Sequence, residues 1–209
     1  MTAGPDDLDW ADPVRALPVN QLARRLPPGQ VLARTWPVMH YGRVPVFRPE
    51  SWDLRVIGAT RSGSTWSCSY EQFRAPPAVE VVADFHCVTG LSRLDAHWSG
   101  VRARDVLREA PPHADVTNAL VWAEHGYCAN MRISDLWHKD ALFAYRLDGV
   151  ELSPDQGWPL RLVVPHLYAW KGPKWVRGIE YLTGERKGFW EERGYHDVGD
   201  PWLEQRFAD

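Results

Sequence analysis

The stretch VEVVADFHCVTG, residues 79–90, decides how we interpret the fold of this sequence and its candidate chemistry. Residues 79–85 are mostly apolar and β-branched, which predicts a buried strand. His86 and Cys87 follow at the end of that strand, and the loop after them contains Thr89. A loop of this kind can supply the hydrogen-bond donors that a thiolate needs. Cys87 is therefore the first candidate for chemistry in the chain.

Cys87 taken alone leaves several interpretations open. A buried structural cysteine carries about as much weight as a reactive one, because free cysteine behaves as a small hydrophobe. A nucleophile with His86 as its base is weaker, since neighbours on a strand point to opposite faces. A zinc site with Cys128 lacks the CxxC, HxxxH or HExxH spacing that such sites use. The spacings for haem attachment and for iron–sulfur clusters are also absent.

The composition limits the class of protein. With 209 residues and 44% hydrophobic content, the chain can form one sizeable domain and is short for two. A net charge of −3 favours neither a nucleic-acid nor a membrane-surface partner. Three cysteines predict no disulfide framework, and no apolar run approaches the ~20 residues of a membrane span. Because residues 1–12 also lack the basic and apolar blocks of a secretory signal, we predict a cytoplasmic protein.

Turn residues and hydrophobic periodicity predict a mixed, β-rich α+β fold. A short helix is expected over 101–110, and a helical turn over 134–138 with Ser134 as its cap. We divide the chain into a loosely attached N-terminal arm, residues 1–28, and a single domain, residues 29–209. No Gly-rich phosphate motif follows a strand, which argues against a Rossmann domain or a P-loop. Strands are predicted over residues 53–57, 79–85, 116–123, 141–146, 160–164 and 175–182.

A second candidate group surrounds Arg161. This arginine interrupts the apolar run 159–165, where a buried guanidinium is costly unless it is paired. Lys171 and Lys174 follow, and they could converge with Arg161 if the loop folds back. Together these cations would suit a phosphate, which arginine binds in a planar bidentate way and lysine as a point charge. A salt bridge to one of the 27 carboxylates of the chain is the simpler alternative, and the cluster by itself favours it.

Two further segments combine glycine with aromatic residues. In His40-Tyr41-Gly42, the glycine would let the backbone approach a flat ligand closely, although an ordinary turn with packed rings is the simpler interpretation. Residues 188–202 are interpreted most simply as a tail packed on the domain. A place for this tail at the mouth of a site is the alternative.

Taken together, five segments resemble the sulfite-oxidase family of molybdenum enzymes, and most closely its short bacterial, haem-free, sulfite oxidase-like branch. They cover nearly all of residues 30–205. A cysteine segment followed by PLRLVVP and then by KW is a specific order of motifs. The segments are WPVMHYGRVPVF (36–47), DFHCVTGLSRLD (84–95), WSGVRARDVL (98–107), GWPLRLVVPHLYAWKGPKWVRGIEYL (157–182) and GFWEERGYHDVGDPW (188–202).

The resemblance implies a molybdenum–molybdopterin cofactor (Mo-MPT), without an attached nucleotide, on the mixed α+β domain of the family. Cys87 would be the protein's metal ligand, and soft thiolate ligation suits this metal. The dithiolene of the pterin would add two further sulfurs. Arg161 and Lys174 would hold the phosphate end of the cofactor. The other cofactor-binding positions would be His40, Tyr41, Gly42, Thr89 and His125.

The resemblance implies two-electron chemistry at molybdenum, of the oxygen-atom-transfer kind, on a small oxyanion or sulfoxide-type substrate. The cofactor performs the difficult chemistry, and the protein positions and tunes it. Since the sequence has no motif for haem or an iron–sulfur cluster, electrons would pass to a separate electron-transfer protein. The dimerisation domain of long family members has no counterpart here, so we expect a monomer.

Several positions depart from the family pattern, among them residues 130–133 and the short segment after Cys87. Met39 stands where sulfite-oxidising members have an arginine near the substrate, and Gln156 stands where members commonly have a histidine. Arg93 is the arginine that follows Cys87 closely, and it would be the catalytic residue that meets the substrate. The departures keep open a molybdopterin-binding module of the same fold without sulfite-type turnover. A cysteine- or zinc-dependent hydrolase is a third hypothesis, which needs a triad that the spacing does not show.

Overall fold

Two β-sheets make up most of the structure, a computed structural model that describes residues 18–33 and 38–208. The helices are short: α1 (Val19–Arg25), α2 (Tyr70–Arg74), α3 (Ala103–Glu109) and α4 (Ile133–Trp137). Turns of 3-10 helix lie at Glu124–Gly126, Pro154–Gln156, Ala169–Lys171 and Glu191–Arg193. The strands are β1 (Val31–Leu32), β2 (Asp53–Gly58), β3 (Trp66–Ser69), β4 (Val79–His86), β5 (Leu91–Arg102), β6 (Asn118–Ala123), β7 (Cys128–Arg132), β8 (Leu142–Leu147), β9 (Val150–Glu151), β10 (Arg161–Val163) and β11 (Val176–Leu182). Short helices on two sheets confirm the predicted β-rich α+β class.

The first sheet is built around its long strand β5. The strand order is β1-β5-β8-β10, with β4 on the other edge of β5 and β9 beside β8. β4 and β5 form an antiparallel pair that runs from Val79 opposite Gly100 to His86 opposite Ser92. Cys87 lies in the short loop between them. The hairpin therefore holds the cysteine at one end of the sheet.

The second sheet has the order β3-β2-β11-β6-β7. Its central strand β11 runs parallel to β2 and antiparallel to β6. Gly178 on β11 is required by packing, because a Cβ there would lie 2.3 Å from the ring of Trp122 on the neighbouring strand. The indole thus occupies the space that any other side chain at Gly178 would need.

The core explains why both sheets form. Leu54 and Ile179 of the second sheet and Phe143 of the first are fully buried in one cluster that joins the two sheets. Leu142, the neighbour of Phe143 on β8, points the other way and packs with Trp98 in a second cluster. β8 is therefore buried on both faces, and each buried side chain of this size contributes roughly 1.5–3 kcal/mol.

Most predicted strands are confirmed, with one difference in burial. The strand expected over 79–85 forms as β4, but it lies at an edge and pairs with β5 alone. Val82 is 53% exposed as a result. The apolar run therefore predicts the strand correctly, but it does not show that both faces of the strand are buried.

The two helical predictions need correction at their beginnings. The helix expected over 101–110 begins at Ala103, because Val101 and Arg102 still belong to β5. Ser134 is not the cap of the next helix. The N-cap position belongs to Arg132, whose side chain makes no capping hydrogen bond.

The N-terminal segment contacts the first sheet where it is described. Arg25 of α1 donates hydrogen bonds to Asp95 at 2.9 Å and to Asp84 at 3.2 Å. Residues 1–17 of the predicted arm lie outside the described residues, as do Trp36 and Pro37. The boundary between residues 28 and 29 stays a prediction. None of the described helices is long and apolar enough to cross a membrane.

Candidate functional site

One cleft, with a volume of about 410 Å³, collects most of the predicted site residues. It lies beside the β4–β5 loop and the segment that follows β10. The predicted residues that line it are Cys87, Thr89, Arg161, Lys174, His40 and Tyr41. Much of the remaining wall is aromatic, and it includes Phe85, Tyr127, Trp170, Trp175, Trp190 and Tyr195.

Cys87 lies on the wall of the cleft in a tight turn. Its N–H donates to the carbonyl of Leu91 at 2.8 Å, and its own carbonyl accepts from the N–H of Gly90 at 3.1 Å. The hydroxyl of Thr89 donates to the Cys87 Sγ at 3.1 Å. Cys87 is a free, half-buried thiol. The turn therefore presents a sulfur atom to the cleft with a hydrogen-bond donor beside it.

His86 lies on the opposite side of the chain from this thiol. It is buried, and its Nδ1 lies 2.8 Å from the hydroxyl of Ser92. Burial lowers the pKa of His86. The alternation along β4 thus separates the imidazole from the cleft that Cys87 lines.

Arg161 is buried and lines the cleft without a carboxylate partner among the described residues. Its Nη1 donates to the carbonyl of Gln156 at 3.1 Å, while its Nε has no hydrogen-bond partner in the described part of the chain. The guanidinium lies 5.1 Å from the ring centre of Phe85 and 5.2 Å from that of Trp98. Burial lowers the pKa of Arg161 to about 10. The simpler alternative, a salt bridge, is not found there.

Lys174 lies beside Arg161, because the two residues form an isolated β-bridge. Its ammonium donates to the carbonyl oxygens of Met39 at 2.7 Å and Asp155 at 2.8 Å. Burial, and then repulsion by Arg161, lower the pKa of Lys174 to about 7. Both cations thus donate to neutral carbonyl oxygens, and the Asp155 carboxylate offsets the charge of Lys174 only in part, an arrangement that favours an anion in the cleft.

Lys171 does not join this pair, in contrast to the sequence-based expectation. Its ammonium is buried and donates to Glu191 Oε1 and to the carbonyl of Asp197, both at 2.8 Å. The Glu191 carboxylate belongs to the C-terminal segment, far from Lys171 along the chain. The spacing of the lysines could therefore not indicate this contact.

The loop His40-Tyr41-Gly42 forms another part of the wall. Gly42 has φ +78°, and a Cβ there would lie 3.1 Å from the ring of His125. His125 therefore packs behind the loop, where it lines a second hollow of about 360 Å³. Trp175 lines both spaces, with its ring centre 5.1 Å from that of His40 and 6.2 Å from that of His125.

Arg93 is placed apart from the cleft. It lies on β5 opposite Phe85 and forms an ion pair with Asp148. Within residues 18–33 and 38–208, the lysine and arginine side chains that line the cleft are those of Arg161 and Lys174. The catalytic role expected of Arg93 stays a prediction, and it would require the guanidinium to leave Asp148.

The aromatic wall is the part of the site that sequence reasoning identified least well. Trp190 and Tyr195 come from the segment interpreted as a packed tail, and their ring centres lie 5.0 Å apart on the cleft wall. Tyr127 donates its hydroxyl proton to the carbonyl of Trp170 at 2.6 Å. The high content of aromatic residues and glycine in 188–202 was the signal in the sequence for this wall. Of the two interpretations of that segment, the one that places it at the mouth of the site describes the structure better.

Comparisons with known proteins identify the family of this chain. Residues 41–190 match the family described as "Oxidoreductase molybdopterin binding domain". The uncharacterized oxidoreductase YuiH of Bacillus subtilis (strain 168) is 42% identical over 185 residues, which cover 88% of this chain and 92% of YuiH. The mitochondrial sulfite oxidase of Drosophila melanogaster is 26% identical over 179 residues, which cover 73% of this chain and 31% of that protein.

A solved structure has the same fold. The sulfane dehydrogenase SoxCD from Paracoccus pantotrophus superposes with a TM-score of 0.62 at 14% sequence identity, over 88% of this chain and 56% of that one. The family match spans well over half of the chain, and the similarity to YuiH spans most of both proteins. This chain belongs to the family of oxidoreductases with a molybdopterin-binding domain, the family of the sulfite oxidases.

Proposed function

We propose that this chain is a Mo-MPT-dependent oxidoreductase in which Cys87 ligates the metal. The single observation that carries the proposal is the shared cleft: the Cys87 thiol, the buried Arg161 and the half-buried Lys174 line one space. We propose two-electron chemistry of the oxygen-atom-transfer kind on a small oxyanion or sulfoxide-type substrate.

The residues of the cleft fit both ends of such a cofactor. A thiol offers the soft ligand that the metal end requires. At the other end, the unpartnered Nε of Arg161 and the ammonium of Lys174 suit a phosphate, which accepts several charge-assisted hydrogen bonds. A phosphate dianion would also favour the charged form of Lys174, whose pKa burial lowers to about 7.

Other residues of the cleft wall would position the pterin. His40 and Tyr41 line the cleft, and Gly42 lets the loop approach His125 closely. Thr89 would keep the Cys87 sulfur oriented through its hydrogen bond. These residues bind and orient the cofactor, and the aromatic wall excludes water from it.

When bound, the cofactor supplies the two-electron redox chemistry. The role of this chain is then to hold the cofactor, admit the substrate and hand electrons to a separate electron-transfer protein. The exposed Met39 and Tyr41 lie at the edge of the cleft, where both substrate and partner would approach.

The test is the metal and pterin content of protein made in a host that synthesises the cofactor. We expect about one molybdenum and one pterin per chain, and turnover of an oxyanion or sulfoxide with an artificial electron acceptor. Cys87→Ser should lose turnover, while Cys128→Ser should keep it, because Cys128 is a free thiol on β7 outside the cleft. Purified protein that holds neither metal nor pterin would refute the proposal.

A second candidate function is a cofactor-binding module without sulfite-type turnover. The placement of Arg93 favours it, since this guanidinium pairs with Asp148 and no cation beyond Arg161 and Lys174 lines the cleft within the described ranges. A module of this kind would hold the cofactor, yet neither sulfite nor a sulfoxide would change its absorption spectrum. Turnover with an artificial acceptor decides against it.

A further inference from the structure

We propose that Gln30 is a positioning residue for Cys87, acting through the Cys87 carbonyl from behind the cleft. The inference rests on the proposed function in one respect, that Cys87 is the metal ligand. Gln30 does not line the cleft, and it precedes β1, far from Cys87 along the chain.

The side-chain amide of Gln30 makes one hydrogen bond with Cys87 itself and another with Ser92 on the strand that follows the cysteine turn. Nε2 donates to the carbonyl of Cys87 at 3.0 Å, and Oε1 accepts from the hydroxyl of Ser92 at 3.1 Å. The hydroxyl of Ser92 also lies 2.8 Å from His86 Nδ1. All three side chains, Gln30, Ser92 and His86, are buried.

Counting protons fixes the direction of this network. A serine hydroxyl has one proton, and Ser92 donates it to Gln30. His86 must therefore donate from Nδ1 to the Ser92 oxygen, which assigns the Nδ1–H tautomer. A flipped Gln30 amide would set its oxygen against the Cys87 carbonyl, two acceptors with no proton between them. The amide therefore has one favourable orientation.

The Cys87 carbonyl receives two hydrogen bonds in this arrangement, from Gln30 and from the Gly90 N–H. β1 adds a second restraint, because the N–H of Val31 donates to the Gly90 carbonyl at 2.8 Å. The two hydrogen bonds to the Cys87 carbonyl restrain the peptide plane after Cys87, and with it the direction of the Cys87 Cα–Cβ bond. Groups that orient a metal ligand from behind typically change metal affinity by about 10–100-fold.

The experiment compares Gln30→Met and Gln30→Glu with the wild type in cofactor-loaded protein. Methionine has a similar volume and removes the hydrogen bonds of the amide with Cys87 and Ser92. Glutamate can still accept from Ser92 and cannot donate to the Cys87 carbonyl. We expect both variants to lose molybdenum about tenfold faster during dialysis and to shift the thiolate-to-metal charge-transfer absorption.

Gln205→Met is the matched control. Gln205 accepts a hydrogen bond from the Asp200 N–H at 3.1 Å and lies outside the cleft. It should therefore leave metal retention and the absorption band unchanged. In the metal-free protein, the rate of Cys87 alkylation by iodoacetamide at one pH should change in the Gln30 variants and not in the control.

The outcomes separate the two proposals. Wild type without molybdenum refutes the proposed function. Loaded wild type, together with Gln30 variants that match it in retention, absorption and alkylation, refutes the positioning role alone. If the Gln30 variants do not fold, Ser92→Ala replaces them. Ser92→Ala keeps the Gln30 amide that donates to the Cys87 carbonyl but removes the hydroxyl that orients this amide. We therefore expect a smaller shift of the absorption in the same direction. An unchanged spectrum contradicts the proposal.

Discussion

Lys174 carries a charge that depends on what occupies the cleft. Burial and the adjacent Arg161 lower its pKa to about 7, whereas Arg161 itself, with a pKa near 10, stays charged at neutral pH. The ammonium is therefore present below about pH 7 and is lost above it in the anion-free protein. A bound dianion extends the charged form to higher pH, because it attracts the proton that the cleft otherwise releases.

Anion binding by the cofactor-free protein should consequently weaken as the pH rises. Sulfate is a suitable probe, because its charge stays constant over this range. We expect its affinity to fall about tenfold from pH 6 to pH 9, which corresponds to the loss of one charge-assisted hydrogen bond. Isothermal titration calorimetry measures it.

Lys174→Met should bind sulfate weakly at every pH and show a much flatter profile. Lys139→Met is the control, since Lys139 is exposed and pairs with Asp140 away from the cleft. Equal profiles for the wild type and Lys174→Met would show that Lys174 is not the titrating group.

Sequence reasoning missed several of the strands, and β5, the centre of the first sheet, is the longest of them. Its buried positions alternate regularly through Ser92, Leu94, Ala96 and Trp98. Serine and alanine are poor strand formers, so the alternation carried little hydrophobic signal. The strands richer in β-branched residues, such as β2 and β11, were predicted within two residues of their ends.

Gly100 lies where β5 approaches the backbone of β8 closely. A Cβ there would lie 2.1 Å from the carbonyl oxygen of Phe143 on β8. Gly100→Ala must therefore displace the backbone of the neighbouring strand, and we expect a loss of about 1–3 kcal/mol in the free energy of unfolding. Urea denaturation followed by tryptophan fluorescence checks this.

Gly184→Ala provides the comparison, because the space around Gly184 is open. It should be neutral within about 0.5 kcal/mol. A Gly100→Ala variant as stable as Gly184→Ala would mean that β5 and β8 do not approach each other as closely as described.

At the scale of the whole molecule, the site is assembled from distant parts of the chain. The residues alone singled out Cys87 and Arg161, because a cysteine after a strand and an arginine in an apolar run are local anomalies, and the family resemblance then assigned both of them and Lys174 to one site. The positions of Arg93 and His125 were not, because they depend on the partners Asp148 and Gly42. The aromatic wall from the C-terminal segment depends on tertiary packing in the same way.

A buried ion pair stabilises the packing of the C-terminal segment on the rest of the domain. Lys171 and Glu191 are each about 1% exposed, and Glu191 also accepts from the Asn130 N–H of β7 at 3.0 Å. Glu191→Leu leaves a buried ammonium without its carboxylate, so we expect a loss of about 3–5 kcal/mol in the free energy of unfolding. Chemical denaturation measures the loss.

Lys171→Met combined with Glu191→Leu should recover much of that stability, since no uncompensated charge remains. The double variant tests the cause of the loss. If it is no more stable than Glu191→Leu alone, packing and not charge holds the segment in place.

The central claim is that Cys87 binds molybdenum, and X-ray absorption at the molybdenum edge tests it most directly. The number of sulfur atoms bound to the metal should be lower by one in cofactor-loaded Cys87→Ser than in the wild type. Cys128→Ser should match the wild type. An unchanged sulfur count in Cys87→Ser that still holds the metal would contradict the account.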